Sequence, residues 1–234
     1  MKASWLILTF YRVRNQTKIK IMSSKEYRHS SAVGDPKEEL AIRFVNTAAW
    51  RLRSAREERL PDAPAFLHWL TANLPGSEQQ LAPINVRWRA HQLDGAKLYE
   101  AAIALREAIY ELLVARIADA APPIAALEHF NAHLVRPRSG IRLGAMASEL
   151  VWDLGEASDL DLLKPIVMSA ASLVTGPKAH RIRQCQDDRG CGWLFVDESR
   201  AMNRRWCSMG DCGNRAKAKR HYQRSRGQSD SSSG

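Results

Sequence analysis

Residues 185–212 read CQDDRGCGWLFVDESRAMNRRWCSMGDC, and every cysteine of the chain lies among them: Cys185, Cys191, Cys207 and Cys212. Five residues separate the first pair, four the second, and fifteen lie between the pairs. Thiols so arranged can converge on one tetrahedral ion, giving a structural zinc site. Gly190 and Gly192 flank Cys191 and Gly210 sits inside the second pair, where glycine allows the sharp turns that aim neighbouring thiolates at one point. Four sulfur ligands would fill the coordination sphere and leave no position for water or substrate, so no catalytic metal is expected. Two disulfides would need an oxidising compartment. The opening run Ala3–Phe10 is broken by Tyr11-Arg12-Val13-Arg14, is followed by no small-residue cleavage site and is too short to cross a bilayer. A reduced, cytoplasmic protein with no membrane contact is the expectation.

Outward from the cysteines the charge is uneven. Residues 178–226 carry 13 Lys/Arg against 5 Asp/Glu, residues 1–28 carry 7 against 1, and residues 29–177 carry 15 against 18. A mildly acidic globule with basic ends favours a polyanion contact at the C-terminal end. That end has few large apolar side chains, so a metal contributing on the order of 10 kcal/mol would decide whether it folds. After the last cysteine, Arg215 and Lys219, and again Arg220 and Arg224, fall four apart on a strongly helical stretch. A charge run is most simply a solvated helix. On a metal-fixed scaffold it points instead to phosphate and groove contact, and the nucleic-acid-binding set is Arg200, Arg204, Arg205, Arg215, Lys217, Lys219, Arg220 and Arg224. Trp193 and Trp206 are expected in the small core.

The N-terminal part reads as helical. Leu40, Phe44, Val45, Ala48, Ala49 and Leu52 recur at helical spacing and predict a helix from Lys37 to about Leu60, ended by Pro61 and Pro64. A short helix follows around Phe66–Leu74. The strongest pattern is Ala96–Ile117, where Leu98, Ala102, Leu105, Ile109 and Leu112 form one stripe, and Ile103, Tyr110 and Val114 a second; apolar on two sides, it belongs centrally in a bundle. Pro122-Pro123 opens another helix to about Leu134. Ser139–Gly144 and Leu150–Leu154 suggest a small β-hairpin. A further helix begins near Leu163 with Pro165 in its first turn and stops at Thr175-Gly176-Pro177, the expected hinge. The fold class is therefore mainly α: a helical N-terminal domain with a small hairpin, then a four-cysteine zinc module ending in a basic helix. The expected divisions are 1–36, a disordered extension that a start at Met22 would shorten; 37–177, the helical domain; 178–226, the zinc module; and 227–234, a disordered tail.

Cys212-Gly213-Asn214-Arg215, with Leu194–Arg200, Arg205–Met209 and Arg215–Lys219 around it, resembles the signature of the CGNR zinc-finger family. Phe44-Val45-Asn46-Thr47, Leu105-Arg106-Glu107-Ala108 and Arg181–Cys185 resemble the predicted small-molecule-sensing domain that accompanies that finger in bacterial transcription regulators. Arg43 departs from the pattern, which has an aspartate there. The resemblance covers about residues 37–225 and implies a zinc-dependent, DNA-binding transcriptional regulator under an unknown small-molecule effector.

Asn46 and Thr47, polar on a largely buried element, are the candidate effector contacts; hydrogen bonding within the core is the plainer reading. Homodimerisation is expected because one finger makes few contacts. The chain shows no glycine-rich phosphate loop, nucleophile elbow or paired carboxylates, so no catalytic residue is assigned and no enzyme is expected. His129 and His133 lie four apart but lack a third ligand. An RNA-binding protein and a zinc-stabilised interaction adaptor are the rival readings.

Overall fold

The computed structural model describes residues 8–13, 16–21, 37–90, 92–135, 142–146, 149–153 and 158–230. The chain divides into two units, Met1–Ser31 and Ala32–Gly234. In the first, strands β1 (Leu8–Val13) and β2 (Gln16–Ile21) pair antiparallel, Leu8 opposite Ile21 and Val13 opposite Gln16. The disordered extension expected over 1–36 thus contains a hairpin; its residues 1–7, 14–15 and 22–36 lie outside the described residues.

The second unit begins with α1 (Leu40–Val45), six residues in place of the helix expected to Leu60. Ala41, Ile42, Phe44 and Val45 are buried in it. The chain then leaves the helical path because Asn46 and Thr47 bond elsewhere. The Thr47 hydroxyl donates back to the Phe44 carbonyl at 2.7 Å, a local bond of the kind that competes with helix continuation. Trp50 follows at φ 55°. Two short strands, β3 (Ala48–Ala49) and β4 (Glu57–Glu58), pair antiparallel across this excursion.

Helix α2 (Ala63–Asn73) starts where the Asp62 carboxylate caps the Ala65 amide at 2.8 Å and Pro64 occupies the first turn. Helix α3 (Glu78–Ala90), with Pro83 inside it, has no counterpart in the sequence reading. Then come α4 (Gln92–Ile117), α5 (Ile124–Leu134), the hairpin β5 (Arg142–Met146) and β6 (Glu149–Asp153), and a short 3-10 turn (Asp159–Leu163) running into α6 (Lys164–Thr175). The hairpin is the expected one, with Leu143 opposite Trp152; residues 139–141 and 154 lie outside the described residues. At Gly176 a Cβ would lie 2.4 Å from the Ser172 carbonyl oxygen, so only glycine ends α6 this tightly.

The core is built on α4, which buries Leu98, Ala102, Leu105, Ile109 and Leu113. Phe44, Phe66 and Trp69 pack as an aromatic cluster, with centroids 5.1 Å apart for Phe44–Trp69. Each such buried side chain stabilises the fold by roughly 1.5–3 kcal/mol. The last elements are strands β7 (Ile182–Gln184) and β8 (Leu194–Val196), paired antiparallel, a π-turn (Met209–Gly213) and helix α7 (Asn214–Asp230). Helix α7 runs four residues into the tail expected to be disordered; 231–234 lie outside the described residues. No helix among the described residues is long and apolar enough to cross a membrane.

Candidate metal centre and basic face

The four sulfur atoms lie within 4.8 Å of one another, with Cys191–Cys207 at 3.8 Å and Cys207–Cys212 at 3.6 Å. Zn–S bonds of about 2.3 Å in a regular tetrahedron put sulfurs about 3.8 Å apart, so the cluster fits that ion. Cys185 follows β7, and its amide donates to the Trp193 carbonyl at 2.8 Å. Cys191 is presented by a turn through Gly190 and Gly192, at φ 87° and 64°. Cys212 sits in the π-turn. The Gln186 amide donates to the Arg205 carbonyl at 2.9 Å and ties one cysteine loop to the other.

Among themselves the thiols can hold little charge. Cys185 is drawn far below the ordinary thiol range because Cys191, Cys207 and Cys212 hydrogen-bond to it. Its partners Cys207 and Cys212 are pushed far above that range, first by Cys185 and then by Cys191. A cation is what lets all four shed their protons.

Arg215 closes the site from behind. It donates to the Cys212 sulfur at 2.9 Å, to the Asp187 carboxylate at 2.7 Å and to Asp211. The Asp187 side chain is only 1% exposed, so this pair is a fixed strut. Arg204 also turns inward: it donates to the Trp206 carbonyl at 2.8 Å and to the Cys207 carbonyl, and its guanidinium lies 4.5 Å from the centroid of Phe195. Of the eight cations expected to meet nucleic acid, Arg204 and Arg215 are therefore spent on the metal loops. Lys219 pairs with Asp188, whose carboxyl it holds below the usual range. Arg205 and Arg220 lie 5.4 and 6.0 Å from the Trp206 ring, within cation–π distance. Arg200, Lys217 and Arg224 are exposed, and their side chains make no hydrogen bond or ion pair with any described residue.

The module is set into the helical part. Asn46 accepts from the Leu194 amide at 3.0 Å and donates to the Leu194 carbonyl at 2.8 Å, a two-way clamp across 148 residues. The Arg51 and Leu52 amides donate to the carbonyls of Cys191 and Gly190. A Cβ on Gly192 would meet Leu52 at 2.7 Å and Arg51 at 2.9 Å. Trp193 donates its indole N–H to the Ala48 carbonyl at 3.0 Å. Asn46 thus docks the finger and Thr47 bonds within the core, in line with the plainer reading of the pair. At Thr175–Lys178, where a hinge was expected, the chain leads straight into this shared packing.

Beneath the docking surface lies an ionic network that the sequence reading missed. Arg106 donates to both Glu58 oxygens at 2.8 and 2.6 Å, to Glu107 at 2.9 Å and to the Thr47 hydroxyl at 3.1 Å. Arg51 donates to Glu107 at 2.5 Å and to the Val45 carbonyl at 2.6 Å. Arg51 and Arg106 are each 3% exposed. Burial pushes the Glu107 carboxyl up, but Arg51 and Arg106 outweigh it and hold the group below the usual range. The signal was available: Arg106-Glu107 falls between the buried Leu105 and Ile109 of the central helix.

Comparison with known families agrees with this anatomy. A family model described as CGNR zinc finger matches residues 181–225. A second, ABATE, described as "Putative stress-induced transcription regulator", matches residues 38–177. No curated protein matches the chain. The four-cysteine cluster binds a structural zinc ion.

Proposed function

The chain belongs to the ABATE family of transcription regulators and carries a CGNR zinc finger, and from that premise we propose that it binds duplex DNA through the finger. One observation supports this above the others. All five acids of residues 178–226 are engaged internally: Asp187 and Asp211 by Arg215, Asp188 by Lys219, Glu198 by Lys178, and Asp197 by the backbone around it. The exposed cations of that segment, Arg200, Arg205, Lys217, Arg220 and Arg224 among them, therefore face no unengaged carboxylate of the same segment. Zinc fixes the loops, Arg204 and Arg215 brace them, and Arg200, Arg205, Lys217, Arg220 and Arg224 are offered to the nucleic acid.

We divide the work at 37–177 and 178–226, the first part sensing a small molecule and the second binding DNA, in a cytoplasmic protein that pairs with a second copy on two half-sites. An effector would act by binding the two states of the joint packing unequally, since a ligand shifts an equilibrium only by its differential affinity. Titration of labelled duplex by the zinc-loaded chain tests the DNA reading. Neutralising about five phosphates gives a slope of log K against log[salt] near −4.5. A slope near zero, or preference for structured RNA over duplex, overturns it. Binding of a protein partner that survives alanine at Arg205, Lys217, Arg220 and Arg224 would instead favour the adaptor.

A further inference from the structure

We propose that the loop tip Arg200–Asn203, rather than helix α7, is the element that reads base edges; this rests on the DNA-binding reading above. The tip is held at both ends, and between them the Met202 amide donates to the Ser199 carbonyl at 3.2 Å within the loop. Asp197, wholly buried, accepts the Ser199 amide at 3.0 Å and hydroxyl at 2.6 Å with one oxygen, and the Arg204 amide at 2.8 Å with the other. Its own backbone is pinned in turn, the amide donating to the Arg181 carbonyl at 2.8 Å and the carbonyl accepting from the Arg181 guanidinium at 3.1 Å. Burial raises the Asp197 carboxyl, yet the bonds from Ser199 and Arg204 hold it below the usual range, so the clamp is anionic.

Between the clamped ends, Arg200, Ala201, Met202 and Asn203 are all exposed, and the Arg200 and Asn203 side chains make no hydrogen bond or ion pair with any described residue. Met202 sits at φ 48°, a conformation that costs a residue with a Cβ and persists only where the surroundings enforce it. A loop that merely reversed the chain would take glycine there. What the clamp secures is a rigid projection bearing three recognition chemistries. An arginine can bond guanine O6 and N7, an asparagine adenine N6 and N7, and an apolar side chain can meet a thymine methyl or wedge a base step. Rigid support matters because discrimination depends on placement. Helix α7, in contrast, is anchored at its first turns by Arg215 and Lys219, and its outer cations Lys217, Arg220 and Arg224 suit phosphate.

The test uses the zinc-loaded full chain. Duplexes are selected from a random pool, and affinity is measured at fixed salt for the selected duplex and a scrambled one. Arg200→Ala and Asn203→Ala should each reduce the ratio of the two affinities about tenfold, with the scrambled duplex little affected. Met202→Gly keeps the left-handed backbone while removing the apolar tip, and should lower the selected affinity alone. Lys217→Ala and Arg224→Ala should weaken both duplexes in parallel. Tip variants that weaken both duplexes in parallel, or neither, overturn the assignment, as does a wild-type chain that binds duplexes without sequence preference. A wild-type chain that binds no duplex at all refutes the DNA reading itself, and the tip with it.

Discussion

Strand β8 separates two cores that are held together by different means. Leu194 and Val196 join Ile182 in the aliphatic and aromatic core with Phe44, Leu105 and Ile166. Trp193 and Phe195 join Ala49 in a second cluster with Cys185, Cys191 and Cys212. Alternation along one strand sends successive side chains to opposite faces, so three or four residues form the wall between them. The first core stands on buried apolar area, the second on a metal. The finger is therefore two halves: β7 and β8 belong energetically to the helical part, and residues 207–230 belong to the zinc.

Removing zinc gives the largest expected effect and the sharpest test of this division. Structural zinc in small modules is worth on the order of 10 kcal/mol. On chelation, hydrogen exchange should show α7 and the π-turn losing protection while the Leu194 amide, held by Asn46, stays protected. Helical circular dichroism should fall only by the share of α7. Cooperative unfolding of the whole Ala32–Gly234 unit on chelation would mean that there is one core and no wall.

The counterpart on the other side is Arg106→Met. The change leaves Glu58 without Arg106 and Glu107 with Arg51, and because both carboxylates are about a third exposed the cost is about 1–3 kcal/mol, less than for a fully buried pair. The denaturant midpoint should fall by that amount while zinc content in the folded protein stays at one ion per chain. Concurrent loss of zinc would show that the network supports the metal loops directly.

This partition explains which features the sequence disclosed. Helices α2, α4, α5 and α6 and the β5–β6 hairpin were legible because their periodicity and their proline or glycine boundaries are local. The zinc ligands were legible because cysteine spacing is a direct statement of geometry. Helix α1 was overextended because what ends it is Leu194, 148 residues away, to which Asn46 bonds. Helix α3 was not read from the sequence; it carries Pro83 inside. The inward turn of Arg215 was hidden for the same reason as the end of α1: its acceptor, the Asp187 carboxylate, lies 28 residues back and is brought to it by the fold. Arg204 turns to the carbonyls of Trp206 and Cys207, two and three residues on, which no side-chain pattern announces. Only Asp211, four residues before Arg215, was a local hint.

Substitutions in the wall itself should harm both sides modestly. Asn46→Ala leaves the amide and carbonyl of Leu194 without partners, at a cost of about 1–3 kcal/mol. Gly192→Ala forces a Cβ into Leu52 and Arg51 at a positive φ, for about the same. Both variants should lower the denaturant midpoint and also speed zinc transfer to a chelator. A variant that moved one readout without the other would place its residue in a single core.

The smallest effect, and the most discriminating, is the order in which acid dismantles the two sides. The folded Glu107 carboxyl lies below its ordinary value. A depressed carboxyl contributes stability that is fully present above the unfolded value, about 4.3, and is lost as pH falls through the lower folded value. The stability gap between wild type and Glu107→Gln should thus be flat above that point and shrink below it. The zinc side depends on four sulfurs staying deprotonated, and thiols bind protons readily from about pH 8.5 downward, so mild acid already competes with the metal. Zinc release, followed with a chromophoric chelator, should therefore precede the fluorescence change of Trp69 and Trp88 in the helical core. Coincident transitions would show that the metal and the ion network stand or fall as one cooperative structure, and that β8 joins the two cores instead of dividing them.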